Sequence, residues 1–391
     1  MKDDRYWHCL DQAMEASHGG HTDEAMAWLD EALKENPNGA EAHNGRGEIL
    51  WDDTRIDEAL YEFELATLAD PKFATAHLNR AELLIEELGE YEEALQLCDR
   101  LLGGAAELPR LDRTLEAEIH YLKSKACFYQ EDLEGALFLV RRALQCGGDL
   151  AISLAFEGQI LLELGRFEES QRRLERAATL DPESPHALYH LALVLERLGR
   201  EDEAEECFIR ADALDPKHYP RPVRLEPGLF EAAAREAIDD LPRSIREYVA
   251  HVPVLIEDFP STDLVLNENV SPQILGLFMG VPRAEASITG DAPDIDRVIL
   301  FKRNLEKACR EEDELIEQIQ ITVKHEIGHY LGLFHNNEMD LTVEDPLPDT
   351  PVGDATYMMH PLSHQAGTQI SAQQADVMRR NPWVWSPSNP P

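Results

Sequence analysis

Through the first 218 residues the apolar positions recur in paired helical stripes of fixed period. Asn36-Pro37 and Asp70-Pro71 stand 34 residues apart, as do Asp181-Pro182 and Asp215-Pro216. Aligned on those prolines, the chain divides into about six units: 6–39, 40–73, about 74–108, 117–150, 151–184 and 185–218. Small residues fall where two helices must approach closely: Ala13, Gly47, Ala81, Gly158 and Ala192 in the first helix, Ala25, Ala59, Ala94, Ala136 and Ala204 in the second. Leu29, Phe63, Val140, Leu174 and Phe208 fill the space between them. A period of this length predicts a solenoid of stacked helix pairs, each burying its apolar face on the next. Gly103-Gly104 and Pro109 interrupt the spacing after the third unit, so the stack is expected to bend or loosen there.

The pattern changes at His218–Pro227, where HYPRPVRLEP has three prolines and no helical period. We therefore read 1–218 as the solenoid, 219–228 as a linker and 229–391 as a second domain. Leu229–Ala250 reads as a helix broken near Pro242. Pro253–Asp258 and Arg297–Phe301 read as strands, and Ser271–Met279 as a short helix with Ser271 as cap and Pro272 in its first turn. Glu312–Leu331 is a long helix with Leu315, Ile316, Ile319 and Val323 on its apolar face. The expected fold is an all-α solenoid followed by a small α+β domain.

Composition narrows the partners. The 391 residues carry 36 Lys and Arg against 76 Asp and Glu, a net charge of −40. A field of that sign repels phosphate backbones and anionic lipid surfaces, so neither nucleic acid nor membrane is an expected partner. The six cysteines form no CxxC pair and lie mostly in apolar helical patterns, as expected of reduced core residues. There is no apolar run of 18 residues and no signal-peptide core at the N-terminus, which together predict a cytoplasmic protein. Its oligomeric state is open.

The chemistry concentrates in residues 325–335, HEIGHYLGLFH. On a helix, His325 and His329 lie one turn apart on one face, where two imidazoles can bind a single Zn2+. Glu326 is placed to take a proton from a water on that ion. Gly332 lets the helix end in a turn that returns His335 as a third ligand and leaves a fourth position open, the pattern of catalytic zinc. A bare HExxH arises by chance in roughly one of fifteen chains of this composition, and the extended HExxHxxGxxH form in about one of several thousand.

Two resemblances sharpen these readings. The small-residue and proline positions of 6–218 resemble the tetratricopeptide repeat family. Such arrays bind peptides or helices in a groove lined by the first helix of each unit, which implies a lining of Trp7, Glu48, Trp51, Asn79, Tyr121, Phe128, Tyr189 and Glu196. Carboxylates with aromatics suit a partner presenting apolar and basic side chains. VLIEDFPS (254–261), LGLFMGVP (275–282), RVILF (297–301) and TVKHEIGHYLGL (322–333) resemble bacterial minimal zincin-type metallopeptidase domains over about 229–336. That resemblance implies a zinc peptidase with Val298–Phe301 as the edge strand beside the active-site helix, along which a substrate adds in extended form. Many members of that group carry an acidic residue where this chain has His335, so Glu338 and Asp340 stand as alternative third ligands.

Downstream, Tyr357–Pro361 is similar to the Met-turn of metzincins, with Met359 as its methionine. Asp345–Pro351 is similar to the connection before that turn, and Ile370–Arg380 is expected to be a closing helix capped by Ser371. Tyr330, Tyr357 and His360 are candidates to stabilise an oxyanion. The expected function is a zinc-dependent endopeptidase with Glu326 as base and the repeats recruiting a protein substrate or regulator. The alternative is an interaction scaffold whose zincin domain is inactive or autoinhibited.

Overall fold

In the computed structural model, described here for residues 2–104, 106–147, 150–268, 270–280 and 296–331, the helical stripes become helices α1–α12. In order they are Lys2–His18, Thr22–Glu35, Ala40–Asp52, Ile56–Ala69, Ala74–Glu86, Tyr91–Leu102, Arg113–Tyr129, Leu133–Cys146, Leu150–Glu163, Phe167–Leu180, Pro185–Arg197 and Glu201–Leu214. Contacts divide the chain into two compact units, Met1–Val194 and Leu195–Pro391, so the break in packing falls within α11, ahead of segment 219–228.

The spacing of small residues explains the pairing in the first unit. Ala25, Ala32, Ala59, Ala66, Ala94, Ala136, Ala143 and Ala177 are fully buried, with Phe63, Val140 and Leu174 packed in the gaps they leave. Gly158 on α9 admits Leu174 of α10 so closely that a Cβ there would sit 2.4 Å from Leu174 Cγ. Ser170, where the period calls for alanine, donates its hydroxyl to the Gly158 carbonyl at 2.5 Å, so its extra polar atom is paired. The Asn/Asp-Pro corners stop second helices by a shared device. Asn36, Asp70 and Asp181 accept from the backbone N–H two residues on, at 3.3, 2.9 and 3.1 Å.

The loosening expected after the third unit is absent. Leu97 and Leu101 of α6 pack in one cluster with Leu115, Ile119 and Leu122 of α7. The helix α7 starts at Arg113, capped by Asp112, which accepts from Leu115 N–H at 2.9 Å. The added turn restores the apolar contact that the irregular spacing removes.

A left-handed residue stands two positions before the second helix of every pair: Gly20, Thr54, Gly89, Glu131, Gly165 and Gly199, with φ between 61° and 73°. Four are glycine, which adopts this conformation freely, whereas Thr54 and Glu131 carry a Cβ into it.

In the second unit α13 (Pro227–Asp239) and α14 (Arg243–Val249) are separated at Pro242 as expected. The strands β1 (Val254–Glu257), β2 (Gly276–Met279) and β3 (Arg297–Phe301) form one sheet of order β1-β3-β2. β1 runs parallel to β3 with Val254 opposite Val298, and β2 runs antiparallel with Gly276 opposite Leu300. A short α15 (Thr262–Asn267) follows β1, and α16 (Lys302–Ala308) and α17 (Glu312–Tyr330) follow β3.

Two sequence readings are corrected here. Ser271–Met279 is not a helix: a turn at Ser271–Ile274 leads into β2. An apolar run of that length is compatible with either state, and pairing with β3 decides it. Asn304 of α16 holds the turn by donating to the carbonyls of Pro272 and Ile274, at 3.0 and 2.7 Å. Val298–Phe301 is the central strand of the described sheet, not its edge; β1 and β2 are the edges. Its four consecutive apolar residues are all buried, as suits a strand covered on both faces.

The expected linker 219–228 is shorter than read, since α13 already starts at Pro227; residues 219–226 are non-helical and packed within this unit. Val223 N–H donates to the Glu306 carbonyl at 3.0 Å, and Leu225 is buried. Arg224 bridges Glu196 (2.6 Å) and Glu306 (2.9 Å), and Lys307 reaches Glu196 at 3.3 Å. Burial pushes the Lys307 ammonium down to about 8 against the pull of Glu196. Glu196 is thus engaged with two cations and is not a free groove carboxylate.

The left-handed conformation costs a β-branched residue about 1–2 kcal/mol, more than the ~0.5–1 kcal/mol of unfolded-chain freedom that glycine adds. Thr54→Gly is therefore expected to stabilise the protein by about 0.5 kcal/mol, read as a higher urea midpoint. Gly158→Ala should do the reverse. Overpacking of about 1–3 kcal/mol outweighs the ~1 kcal/mol gain in helix propensity, and a raised midpoint would contradict the close contact with Leu174.

Candidate active site

The helix α17 has two faces with different duties. Leu315, Ile319, Val323, Ile327 and Tyr330 follow the helical period and are buried against Phe230, Ala234 and Ala237 of α13 and Val298 and Leu300 of β3. Glu312, Asp313 and Glu314 occupy its first turn, where the helix dipole favours negative charge. With that stripe fixed, Thr322, His325, Glu326 and His329 are carried on the remaining surface.

His325 and His329 lie one turn apart, ring centroids 4.9 Å apart and nearly perpendicular at 86°. His325 is buried and His329 half-buried. Glu326 is only 7% exposed, which is unusual for a carboxylate that has no cation beside it among the described residues. Burial pushes it up to about 7, and the Phe278 backbone N–H donating to it works in the opposite direction. A buried carboxyl poised near neutrality is able both to accept and to return a proton.

The strand β2 supplies the wall of this site. Gly276 faces the helix so closely that a Cβ would meet Thr322 Cγ2 at 2.7 Å and Glu326 Cγ at 3.1 Å. The sequence shows a glycine inside an apolar strand, a signal of close backbone approach, but not what approaches. Neither Gly276 nor the Phe278 N–H is recognisable as a site component without the sheet order. The edge strand beside the helix is therefore β2, where the sequence pointed to β3.

Tyr330 leaves the set of oxyanion candidates. Its ring is fully buried, 5.6 Å from that of Phe278 and 5.9 Å from that of Tyr248, and its hydroxyl is 3.1 Å from His251 Nε2. The alternatives Tyr357 and His360 lie outside the described residues. So do His335, Glu338, Asp340, the Met-turn at Met359 and the helix expected at 370–380. The donor chemistry that is described, two imidazoles at four-residue spacing beside a buried carboxyl, fits a zinc ion with a general base.

A second concave surface lies in the first unit. A cleft of about 480 Å³ between α1 and α3 is lined by Trp7, Met14, Glu41, Asn44, Glu48 and Asp52, among others. Its polar floor is organised: Asn44 and Asn79 donate to Glu48 at 2.8 and 2.9 Å, and Asn79 also to Asn44 at 3.1 Å. Trp7 is 52% exposed over it. By contrast Tyr121 and Phe128 pack edge-to-face on Phe156 and belong to the core. All six cysteines are free thiols. Among the described residues no helix is long and apolar enough to cross a membrane.

Comparison with known proteins bears on both regions. Residues 10–69, 62–109 and 157–219 match the tetratricopeptide repeat family, and residues 249–343 match the family of zincin-like metallopeptidases. The human protein O-mannosyl-transferase TMTC3 is 29% identical over 195 residues, which is 48% of this chain and 21% of that protein. The chain thus spans about a fifth of the length of that relative. Among solved structures, pilF of Pseudomonas aeruginosa is similar over 56% of this chain and 96% of its own, at 16% identity and TM-score 0.46. The pilus biogenesis factor PilW is similar over 55% and 96%, at 18% and 0.47. Yeast Tom70 is similar over 51% and 41%, at 21% and 0.42. The chain carries tetratricopeptide repeats in its N-terminal region and, at residues 249–343, a zincin-like metallopeptidase domain.

Proposed function

We propose that the protein is a zinc-dependent endopeptidase whose repeat array recruits a protein substrate or regulator. The observation that carries this reading is geometric: the imidazoles of His325 and His329 stand one turn apart on α17, ring centroids 4.9 Å apart, beside the buried Glu326 carboxyl that accepts from the Phe278 N–H. A zinc ion held by His325, His329 and His335 supplies Lewis acidity toward a carbonyl and lowers the pKa of water toward about 7.

The chain's own residues do the rest. Glu326 takes the proton of the attacking water and returns it to the leaving amine, a dual role that its near-neutral carboxyl supports. The side of β2 away from β3, which pairs with no strand among the described residues, offers backbone groups to an extended substrate whose scissile bond then runs past Glu326. In the array, the Trp7–Asp52 cleft combines an exposed indole with several carboxylates, which favours a partner segment with apolar and basic side chains. A net charge of −40 steers such a segment toward the protein.

Glu326→Gln is expected to keep zinc bound while cleavage falls by at least about 10²-fold. The variant also serves as a trap: proteins captured by it should be cut by wild type and spared after chelation. A captured partner that wild-type protein never cuts would leave the scaffold reading in its place. His325→Ala and His329→Ala are each expected to lose the metal, so full zinc occupancy by elemental analysis in either variant would sink the ligand assignment. His335→Ala should weaken zinc binding, and unchanged affinity would move the third ligand to Glu338 or Asp340.

A further inference from the structure

The helical hairpin α7–α8 gathers a second set of metal-ligating side chains that the peptidase reading leaves unused. Glu116 and His120 are one turn apart on α7, and Cys146 is the last residue of α8. One donor atom from each lies within 4.8 Å of the other two. The Glu116 carboxylate accepts from the Cys146 thiol, and its Oε1 stands 3.8 Å from His120 Nε2, beyond hydrogen-bond length.

His120 is the unusual member. It is 9% exposed, and its Nδ1 is buried with no hydrogen-bond partner. His77 of the same array, whose Nδ1 is likewise buried without a partner, has its Nε2 3.0 Å from the Pro71 carbonyl, whereas the His120 Nε2 stands 3.8 Å from the Glu116 carboxylate.

The surroundings suit a cation on two further counts. Tetrahedral bonds of about 2.0–2.3 Å separate donors by roughly 3.3–3.8 Å, so the cluster has to close by about 1 Å, which rotations of the half-buried Glu116 and Cys146 side chains supply. The site also sits at the C-terminal end of α8, where the helix dipole favours positive charge and Arg113 donates to the Gln145 carbonyl at 3.1 Å; Gly147 ends the helix in the left-handed conformation at φ 91°.

We propose that Glu116, His120 and Cys146 form a binding site for a borderline-soft divalent cation of the zinc type, which clips the end of α8 to the first turns of α7. On binding, the Cys146 S–H bond breaks, its proton goes to solvent and a metal–sulfur bond forms; a water completes the coordination. Mixed thiolate, imidazole and carboxylate donors select such ions over calcium or magnesium.

The test uses the full-length chain carrying His325→Ala and His329→Ala, titrated with Co2+. None of the proposed peptidase ligands is a cysteine, so a thiolate-to-cobalt charge-transfer band in the near ultraviolet reports this cluster alone. The expected result is a band that saturates at one cobalt per chain, is lost in Cys146→Ser and is lost in the thiol-retaining His120→Asn. Circular dichroism melts of each variant establish that the repeats stay folded. Absence of the band at saturating cobalt, or a band that survives Cys146→Ser, would overturn the proposal.

Discussion

The candidate site depends on the burial of one stripe of α17. Leu315, Ile319, Val323, Ile327 and Tyr330 lock the helix rotation against α13 and β3, and a rotation of even one residue's worth would swing the imidazole pair into the core. The site is therefore built on a rigid element, with its polar face determined by what its apolar face buries. Glu326 is held from the far side by β2, through a backbone N–H and through a glycine that lets the strand lie against the helix. Two backbone elements and one hydrophobic cluster fix three side chains.

That arrangement also accounts for the chemistry of Glu326. A surface carboxylate is a weak base at neutral pH, and here the sheet edge and the helix exclude water from it. Desolvation raises it toward about 7, while the single Phe278 N–H keeps the ionised form within reach. In the first unit, the Glu48 carboxylate is exposed and accepts from two asparagines in the Trp7 cleft.

Much of this was legible in the chain, and the limits have a physical pattern. The repeats could be read because their determinants are local and recur: an Asx-Pro corner and a small residue at a crossing. The histidine pair and Glu326 could be read for the same reason, since their spacing acts within one helix. Sequence reading failed where partners lie far apart in the chain. LGLFM is compatible with helix or strand until β3 pairs with it, and RVILF is compatible with an edge or a centre until β1 and β2 flank it. Glu196 reads as a groove carboxylate until Arg224 and Lys307 arrive beside it, the latter 111 residues on.

That last cluster bears on how the protein can be divided. The proline-rich stretch invites a cut near residue 218, yet Glu196 upstream is neutralised by cations downstream of any such cut. A repeat fragment ending there inherits an uncompensated acid. The complementary fragment inherits Lys307, an almost dehydrated amine stripped of its counterion, and Glu306 crowds the same spot. Glu196, Arg224, Glu306 and Lys307 all belong to the unit that starts at Leu195, so a cut at 218 runs through one compact body and not between two.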